Sequence, residues 1–331
     1  MHRCGARQTG VKLTRTCLLD RCTCLVDLMS LASRSDSWRE PTTMSNSSAI
    51  VPKVGFVTTC KGRLHHLKRT LPRLVADQPD EVIVVDYECP QGSGAWVESN
   101  HPSVRVVYAG DGSPFNLSRA RNAGIRASRA DVLCLIDADV LIEPGFVAWI
   151  RQRARQRVIF RHAVNNGHRD RETWGTFVCP RKLLFEVGLY DEVFDGWGGE
   201  DTDIFYRLKI AGSVEGEFPF PLVKAIPHGE GERMTWYKEK DRRHHFLVNQ
   251  LYAEAKKVLL AFVRPKHDLP ISLRRYAWNE IKKSVATLGN QTIVKLSVSG
   301  KAWAPKPYRM NRSITIELQV TSPEADPERL D

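Results

Sequence analysis

Asp131-Val-Leu-Cys-Leu-Ile-Asp-Ala-Asp139 is an apolar run that closes on two carboxylates. A short apolar run without polar alternation reads as a strand buried on both faces, the kind found in parallel sheets. Upstream, Val54–Thr59, Glu81–Asp86 and Val104–Tyr108 read the same way. Between them lie helical patterns: Arg63–Val75, with Leu64, Leu67, Leu71 and Leu74 at helical spacing and Pro72 marking a kink or restart, and Asn116–Ala127, with a small-residue face. Pro144 suits the first turn of a following helix. Strand–helix–strand alternation predicts an α/β fold, a Rossmann-like mostly parallel sheet with helices on both faces. Ligands of such sheets bind beyond the carboxyl ends of the strands. Thr58-Thr59, Asp86 and Asp137-Ala-Asp139, the polar ends of three strands, are therefore expected to share one cleft.

Further along, a short strand at Thr173–Cys179 and a helix opened by Pro180 and closed by Gly188 are expected. Gly196-Trp-Gly-Gly-Glu-Asp-Thr-Asp203 then leads into an amphipathic helix (Ile204, Leu208) capped by Gly212. Strand-like pieces at 214–218 and 222–226 precede His228. A long helix is predicted from Trp236 to about Phe262, another near Ser272–Leu288, and β-like alternation in Thr292–Val298 and Ile314–Val320. The domain reading is 49–262 for the α/β unit and 263–331 for a helical and β extension without an assigned role. The first 48 residues lack sustained periodicity, and Met44 stands just before the first strand. The expectation is that Met44 is the start and that the earlier segment is disordered or untranslated.

Composition narrows the classes. With 42% hydrophobic and 26% charged residues in 331, the chain has the make-up of a globular protein with one large or two modest cores. The longest apolar stretch, Val132–Ile150, is broken by Asp137, Asp139 and Glu143, which argues against a membrane span. The net charge of +11 suits an anionic partner, but the basic residues are spread along the chain and match no nucleic-acid module. Arg151-Gln-Arg-Ala-Arg-Gln-Arg157 fits either a solvated helix face or peripheral contact with an anionic membrane. Cys60, Cys89, Cys134 and Cys179 stand mostly at the ends of apolar runs, as buried free thiols do, and point to a reducing compartment. Cys22-Thr-Cys24 has no second pair at zinc-finger spacing. Gly92-Ser-Gly94 follows a strand but has Val97 in place of a third glycine, which excludes the dinucleotide fingerprint.

Two carboxylates where a strand end turns can approach one ion, and carboxylate oxygens suit Mg²⁺ or Mn²⁺ bridging a diphosphate. A turn with a helix cap explains the same spacing. Glu200 and Asp201 sit at a helix start, where free N–H groups favour the anionic form, and an ionised carboxylate can accept a hydroxyl proton. They also read simply as favourable charges in a first helical turn. Trp197 offers a flat apolar face to a sugar ring, or fills a core. His228 reads as structural or as a ligand, and Lys61 and Arg63 as surface charges or phosphate contacts.

Phe115-Asn-Leu-Ser-Arg-Ala-Arg-Asn-Ala-Gly124, followed by the strand ending at Asp137-Ala-Asp139, resembles the family-2 glycosyltransferases. Gly196-Trp-Gly-Gly-Glu-Asp-Thr-Asp-Ile-Phe-Tyr-Arg-Leu208 resembles the acceptor motif of β-1,4-galactosyltransferases and chondroitin-polymerase-like enzymes. Together the resemblances cover roughly residues 53–230. They imply a GT-A fold and glycosyl transfer from a nucleotide sugar with inversion. They also imply roles. Thr58 and Asp86 would hold the uracil or ribose, and Lys61 and Arg63 would face the diphosphate. Arg119, Arg121 and Asn122 would contact the donor. Asp139, with Asp137 beside it, and His228 would bind Mn²⁺ or Mg²⁺. Trp197 would lie between donor and acceptor sugars, with Glu200 and Asp201 at the acceptor and Asp201 as catalytic base. Leu117 stands where the galactosyltransferase pattern has a basic residue, so UDP-galactose, UDP-N-acetylgalactosamine and UDP-glucuronic acid or glucose all stay open as donors.

The expectation is thus a metal-dependent inverting glycosyltransferase using a UDP-sugar donor and a glycan or glycolipid acceptor. Nucleic acid is not expected as a partner. The enzyme is expected to be cytoplasmic, resting at most peripherally on the inner membrane face. Two alternatives stand beside it: a metal-dependent phosphoryl- or nucleotidyl-transfer enzyme, which would cleave within the phosphate chain, and a catalytically silent glycan-binding protein.

Overall fold

The computed structural model describes residues 12–14, 51–165, 168–263, 268–288, 293–302 and 310–320. A short β1 (Lys12–Thr14) precedes the main body. There β2 (Val54–Cys60), α1 (Leu64–Ala76), β3 (Glu81–Tyr87), α2 (Ser93–Asn100), β4 (Arg105–Ala109), α3 (Leu117–Ala127) and β5 (Val132–Leu135) alternate. Next come β6 (Val140–Ile142), α4 (Phe146–Arg153), β7 (Val158–His162), β8 (Val164–Asn165), β9 (His168–Arg169) and β10 (Phe177–Pro180). They are followed by α5 (Arg181–Glu186), α6 (Glu200–Ile210), β11 (Val214–Phe218) and β12 (Val223–Ala225). The chain closes with α7 (Glu230–Met234), α8 (Arg242–Val263), α9 (Ile271–Ala286), β13 (Ile293–Ala302) and β14 (Met310–Gln319).

The central sheet has seven strands in the order β11-β7-β10-β5-β2-β3-β4. From β5 to β4 it is parallel, as the alternation predicts, whereas β10 runs antiparallel to both β5 and β7. Among the described residues no crossover helix joins β7 to β10, and an antiparallel neighbour needs none. Both faces of the sheet are buried, which explains the unbroken apolar strands. Val54 and Phe56 of β2 pack with Leu67 and Leu71 of α1 and Phe146 and Ile150 of α4. Val57, on the opposite face, packs with Ala120 and Ile125 of α3 and Ile204 and Leu208 of α6.

Three local readings differ from the structure. α1 runs through Pro72 as one helix, because its buried stripe of Leu67, Leu71 and Leu74 offsets the hydrogen bond that proline removes. The strand expected from Thr173 begins at Phe177, since Asp170 accepts from the Glu172 N–H and winds 171–173 into a 3₁₀ turn. α8 starts at Arg242 rather than Trp236, where the Asp241 carboxylate accepts from the His244 N–H at 3.0 Å and caps the helix.

A third core joins α8 and α9 to β13 and β14, with Tyr252, Leu259, Ile281, Leu296 and Ile316 among its members. It also takes in Phe194, just ahead of the Gly196–Gly199 loop. Within residues 1–48, Lys12–Thr14 pairs with Thr315–Glu317 of β14. The rest of that segment, with Met44, Cys22 and Cys24, lies outside the described residues. Cys60, Cys89, Cys134 and Cys179 are free and buried. Among the described residues no helix is long and apolar enough to cross a membrane.

Candidate active site

The ends of β2, β3 and β5 lie side by side, with Cys60 in register with Asp86 and Val57 with Leu135. Beyond β5 the chain turns into β6, which pairs antiparallel with β12 so that Ala225 faces Val140. That register brings the residues after β12 back to the strand end, where the Ile226 N–H donates to the Asp139 carbonyl at 2.7 Å. His228 thereby reaches Asp139, with Nε2 2.7 Å from Oδ2 and both side chains under a tenth exposed. Arg63, from the loop after β2, binds the same carboxylate oxygen. Burial pushes the Asp139 carboxyl up, but His228 and Arg63 more than offset it and hold it ionised. The hydrogen bond to Asp139 raises the His228 imidazole above its usual value. One imidazole nitrogen and one ionised carboxylate oxygen at the mouth of the sheet form a donor set that suits Mn²⁺, so these residues fit a divalent ion.

Asp137 takes a different partner. Arg121, fully buried on α3, donates to Asp137 Oδ1 at 2.9 Å through one nitrogen and to Asp201 Oδ1 at 2.6 Å through the other. The two ends of the site are thus bridged by one guanidinium. Among the described residues, the ligand atoms of Asp137 do not converge with those of Asp139 and His228 to within 4.8 Å. The expected third metal ligand is drawn away by Arg121.

Asp201 opens α6 after a glycine loop with φ of +85° at Gly196, +87° at Gly198 and +91° at Gly199. A Cβ on Gly199 would meet Phe194 at 2.8 Å and Asn249 at 2.9 Å, so the loop is pressed onto α8. Asn249 donates to the carbonyls of Asp195 and Trp197, and His245 Nδ1 accepts from the Trp197 N–H at 3.2 Å. The half-buried Trp197 ring has Arg242 over one face and Phe246 near it.

The helix start was expected to hold Glu200 and Asp201 in the anionic form, and burial works against this at both residues. Burial, with the charge of Asp201, raises the Glu200 carboxyl to about 8. Burial also raises Asp201, against the pull of Arg121 and with the push of Asp137. Folded Glu200 therefore keeps a proton that the unfolded chain releases near the ordinary value of 4.5. That stability is present at acid pH and is lost as pH rises towards 8. Glu200→Gln should remove this loss, so that between pH 5 and pH 8 wild type weakens relative to the variant by on the order of 1 kcal/mol or more. Urea unfolding of both proteins at the two pH values reads this, and parallel behaviour would refute it.

The remaining expected residues are placed as follows. Thr58 is buried in β2 with its hydroxyl unpartnered among the described residues. Lys61 lies over the Tyr87 ring and 3.9 Å from Glu88. Asp86 is 4% exposed, and its oxygens accept from the Cys89 and Gly94 N–H groups and the Ser93 hydroxyl, so it caps α2. Arg119 stands at the rim with Asp111 and Ser113. Asn122 exchanges hydrogen bonds with the Tyr190 backbone and donates to Glu192, which makes it a clamp on the 190–192 segment instead of a donor contact. Sequence reasoning missed Tyr190, whose hydroxyl donates to Asp201 at 3.2 Å. It also missed Gly175, where a Cβ would lie 2.6 Å from Arg121 and 2.8 Å from Asp201. Arg121 had a legible signal: Ser118, Arg121, Asn122 and Ile125 repeat at helical spacing on the buried face of α3.

Residues 56–200 match the family model of glycosyl transferase family 2. This segment is similar to the family-2 glycosyltransferases. A curated relative, a chondroitin synthase of Escherichia coli, is 29% identical over 129 residues, which make up 38% of this chain. The match spans only 19% of that relative's length. Among solved structures, S. aureus TarS 1-349 in complex with UDP-GlcNAc matches with a TM-score of 0.50 at 14% identity, over 70% of this chain and 73% of that one. A mannosyltransferase, PcManGT from Pyrobaculum calidifontis, in complex with GDP-Man and Mn²⁺, matches with a TM-score of 0.49 at 16% identity, over 76% and 79%. The α/β domain has the GT-A type of fold, with its central sheet mainly parallel and flanked by helices. Its strand-end residues Arg63 and Asp139 fall inside the matched segment, and Asp201 immediately follows it.

Proposed function

We propose that the chain transfers a sugar from a nucleotide sugar, UDP-linked first among the candidates, to a hydroxyl of a glycan or glycolipid with inversion. The observation that carries this reading is the Arg121 bridge. It holds Asp201, within the Gly196–Leu208 run, against Asp137, just past the end of β5, on the edge of the sheet where ligands of such folds bind. A carboxylate raised above its ordinary value by burial is a better proton acceptor at neutral pH. Asp201 takes the proton of the attacking hydroxyl, Arg121 and the Tyr190 hydroxyl fix the orientation of its carboxylate, and Trp197 carries the sugar ring. Lys61, Arg63 and Arg119 line the diphosphate side. Asp139 and His228 would hold a Mn²⁺ or Mg²⁺ ion, which when bound supplies positive charge where the departing diphosphate develops its own.

Galactose, N-acetylgalactosamine, glucuronic acid and glucose are the donor sugars the reading admits. The Arg151–Arg157 run does not favour a membrane. Arg151 pairs with Asp80, Arg153 covers Trp149, Arg155 binds backbone carbonyls of its own turn and Arg157 pairs with Glu186.

Asp139→Ala is expected to lower UDP affinity in the presence of Mn²⁺ by about 10- to 100-fold and to abolish transfer. Calorimetric titration with UDP, with and without Mn²⁺, reads the effect. Undiminished affinity would remove the metal assignment. Analysis of the products separates the reaction classes, since UDP with a glycoside supports glycosyl transfer, whereas UMP or a sugar phosphate would overturn it.

A further inference from the structure

The residues after His228 form a strap across the first loop of the sheet. α7 lies within it, and the Trp236 indole packs so closely on Gly62 that a Cβ there would meet the ring at 2.0 Å. Where the strap meets α1, three side chains converge. His65 Nε2 and His66 Nε2 each lie 3.0 Å from the same oxygen, Oε1 of Glu232.

Neighbouring residues on a helix do not face the same way. Yet the rings of His65 and His66 stand with centroids 4.1 Å apart and both turn to one carboxylate. The contacts have the length of hydrogen bonds without their direction. Neither nitrogen of His66 nor Oε1 of Glu232 has a hydrogen-bond partner among the described residues, although His66 is only 4% exposed. Leaving buried polar atoms unpaired is unfavourable, so a group of them aimed at one point is a ligand set awaiting an ion. The spacing agrees. Donors bound about 2.0–2.2 Å from a tetrahedral or octahedral cation stand about 2.8–3.6 Å apart. Among the described residues this is the one trio of His, Cys, Asp or Glu whose ligand atoms all fall within 4.8 Å.

We propose that His65, His66 and Glu232 form a binding site for a first-row divalent cation of the zinc type, separate from the Asp139–His228 pair. Two imidazoles and a carboxylate are the donor chemistry such an ion takes, with a further position left for water. His65 is more than half exposed and gives the ion its way in. The His66 ring centroid is 5.5 Å from that of His228, so the second ion sits beside the first site without sharing its ligands. Bound there, it fastens the strap to the start of α1 and holds Trp236 over the Lys61–Arg63 loop. The site itself does not depend on the reaction proposed above.

The test uses the untagged full-length chain stripped of metal and titrated calorimetrically with Zn²⁺, with Co²⁺ absorption as a second readout. Asp139→Ala/His228→Ala should still bind one equivalent, and adding Glu232→Gln to it should weaken that binding at least 10-fold. Loss of all binding in Asp139→Ala/His228→Ala would mean a single shared ion and would overturn the proposal. Binding unaffected by Glu232→Gln would overturn it equally. Should the double variant fail to fold, wild type against Glu232→Gln decides. A drop of one equivalent supports the site, and an equal stoichiometry with equal affinity refutes it.

Discussion

Asp201→Asn is expected to lower kcat for sugar transfer by roughly 10²- to 10⁴-fold while leaving nucleotide-sugar affinity within a few fold of wild type. Asparagine keeps an oxygen where Arg121 donates at 2.6 Å and where the Tyr190 hydroxyl donates at 3.2 Å. The bridge to Asp137 and the fold therefore survive, and the lost capacity is the acceptance of a proton. In the wild type, the rate should rise with pH along a limb lying above the usual carboxylate range. Burial and the Asp137 charge, opposed by Arg121, push Asp201 in that direction. The variant should lose the limb altogether. Steady-state kinetics across pH, with UDP release coupled to detection of the glycoside, measures both effects. Turnover within a few fold of wild type would remove Asp201 from the role of base, and an affinity loss as large as the rate loss would recast it as a binding residue.

Much of the scaffold could be read from strand chemistry. Apolar runs such as Val132–Leu135 must be covered on both faces, and that condition alone brings the helices to either side and the polar strand ends to one edge. The resemblance implied that Asp139 and His228 act together, and the register of β6 on β12 brings them into contact. What the sequence could not show was the choice of partner for each charge. Asp137 and Asp139 are one residue apart, yet one binds Arg121 and the other binds Arg63 and His228. Asn122 looks like a ligand contact in one dimension, but its amide is spent on Tyr190. The ionisation of Glu200 was misjudged because a helix terminus is a local feature, whereas the burial that outweighs it comes from distant packing. His65, His66 and Glu232 gave no signal, since only the strap's return over α1 unites them.

The C-terminal region carried no legible role, and a buried lysine gives it one. Lys256 of α8 is fully buried and reaches Asp191 at 2.8 Å, Asp203 of α6 at 2.9 Å and Asp268 at 3.0 Å. Arg207 and Arg274 supply two more positive charges, at 2.6 Å from Asp203 and Asp191 respectively. Three carboxylates thus face three cations, and the cluster joins the α/β domain to the helices behind it. Lys256→Met would leave a net negative charge in the interior. It is expected to reduce stability by about 3–5 kcal/mol, a large part of the roughly 5–15 kcal/mol typical of a folded domain. The deficit should shrink in acid. Burial alone would raise Asp191, but Lys256 and Arg274 hold it well below the usual carboxylate range, so its contribution is present at neutral pH and lost as pH falls. Urea unfolding of both proteins at neutral and acid pH measures the gap and its narrowing. A difference under about 1 kcal/mol at neutral pH would show that the cluster is not a clasp. The same helix carries His245 and Asn249, which hold the backbone of the Asp195–Trp197 loop. Loosening α8 should therefore raise KM for the acceptor more than it lowers kcat, the opposite pattern to Asp201→Asn, and so separate a support of the proposed acceptor loop from the proposed base.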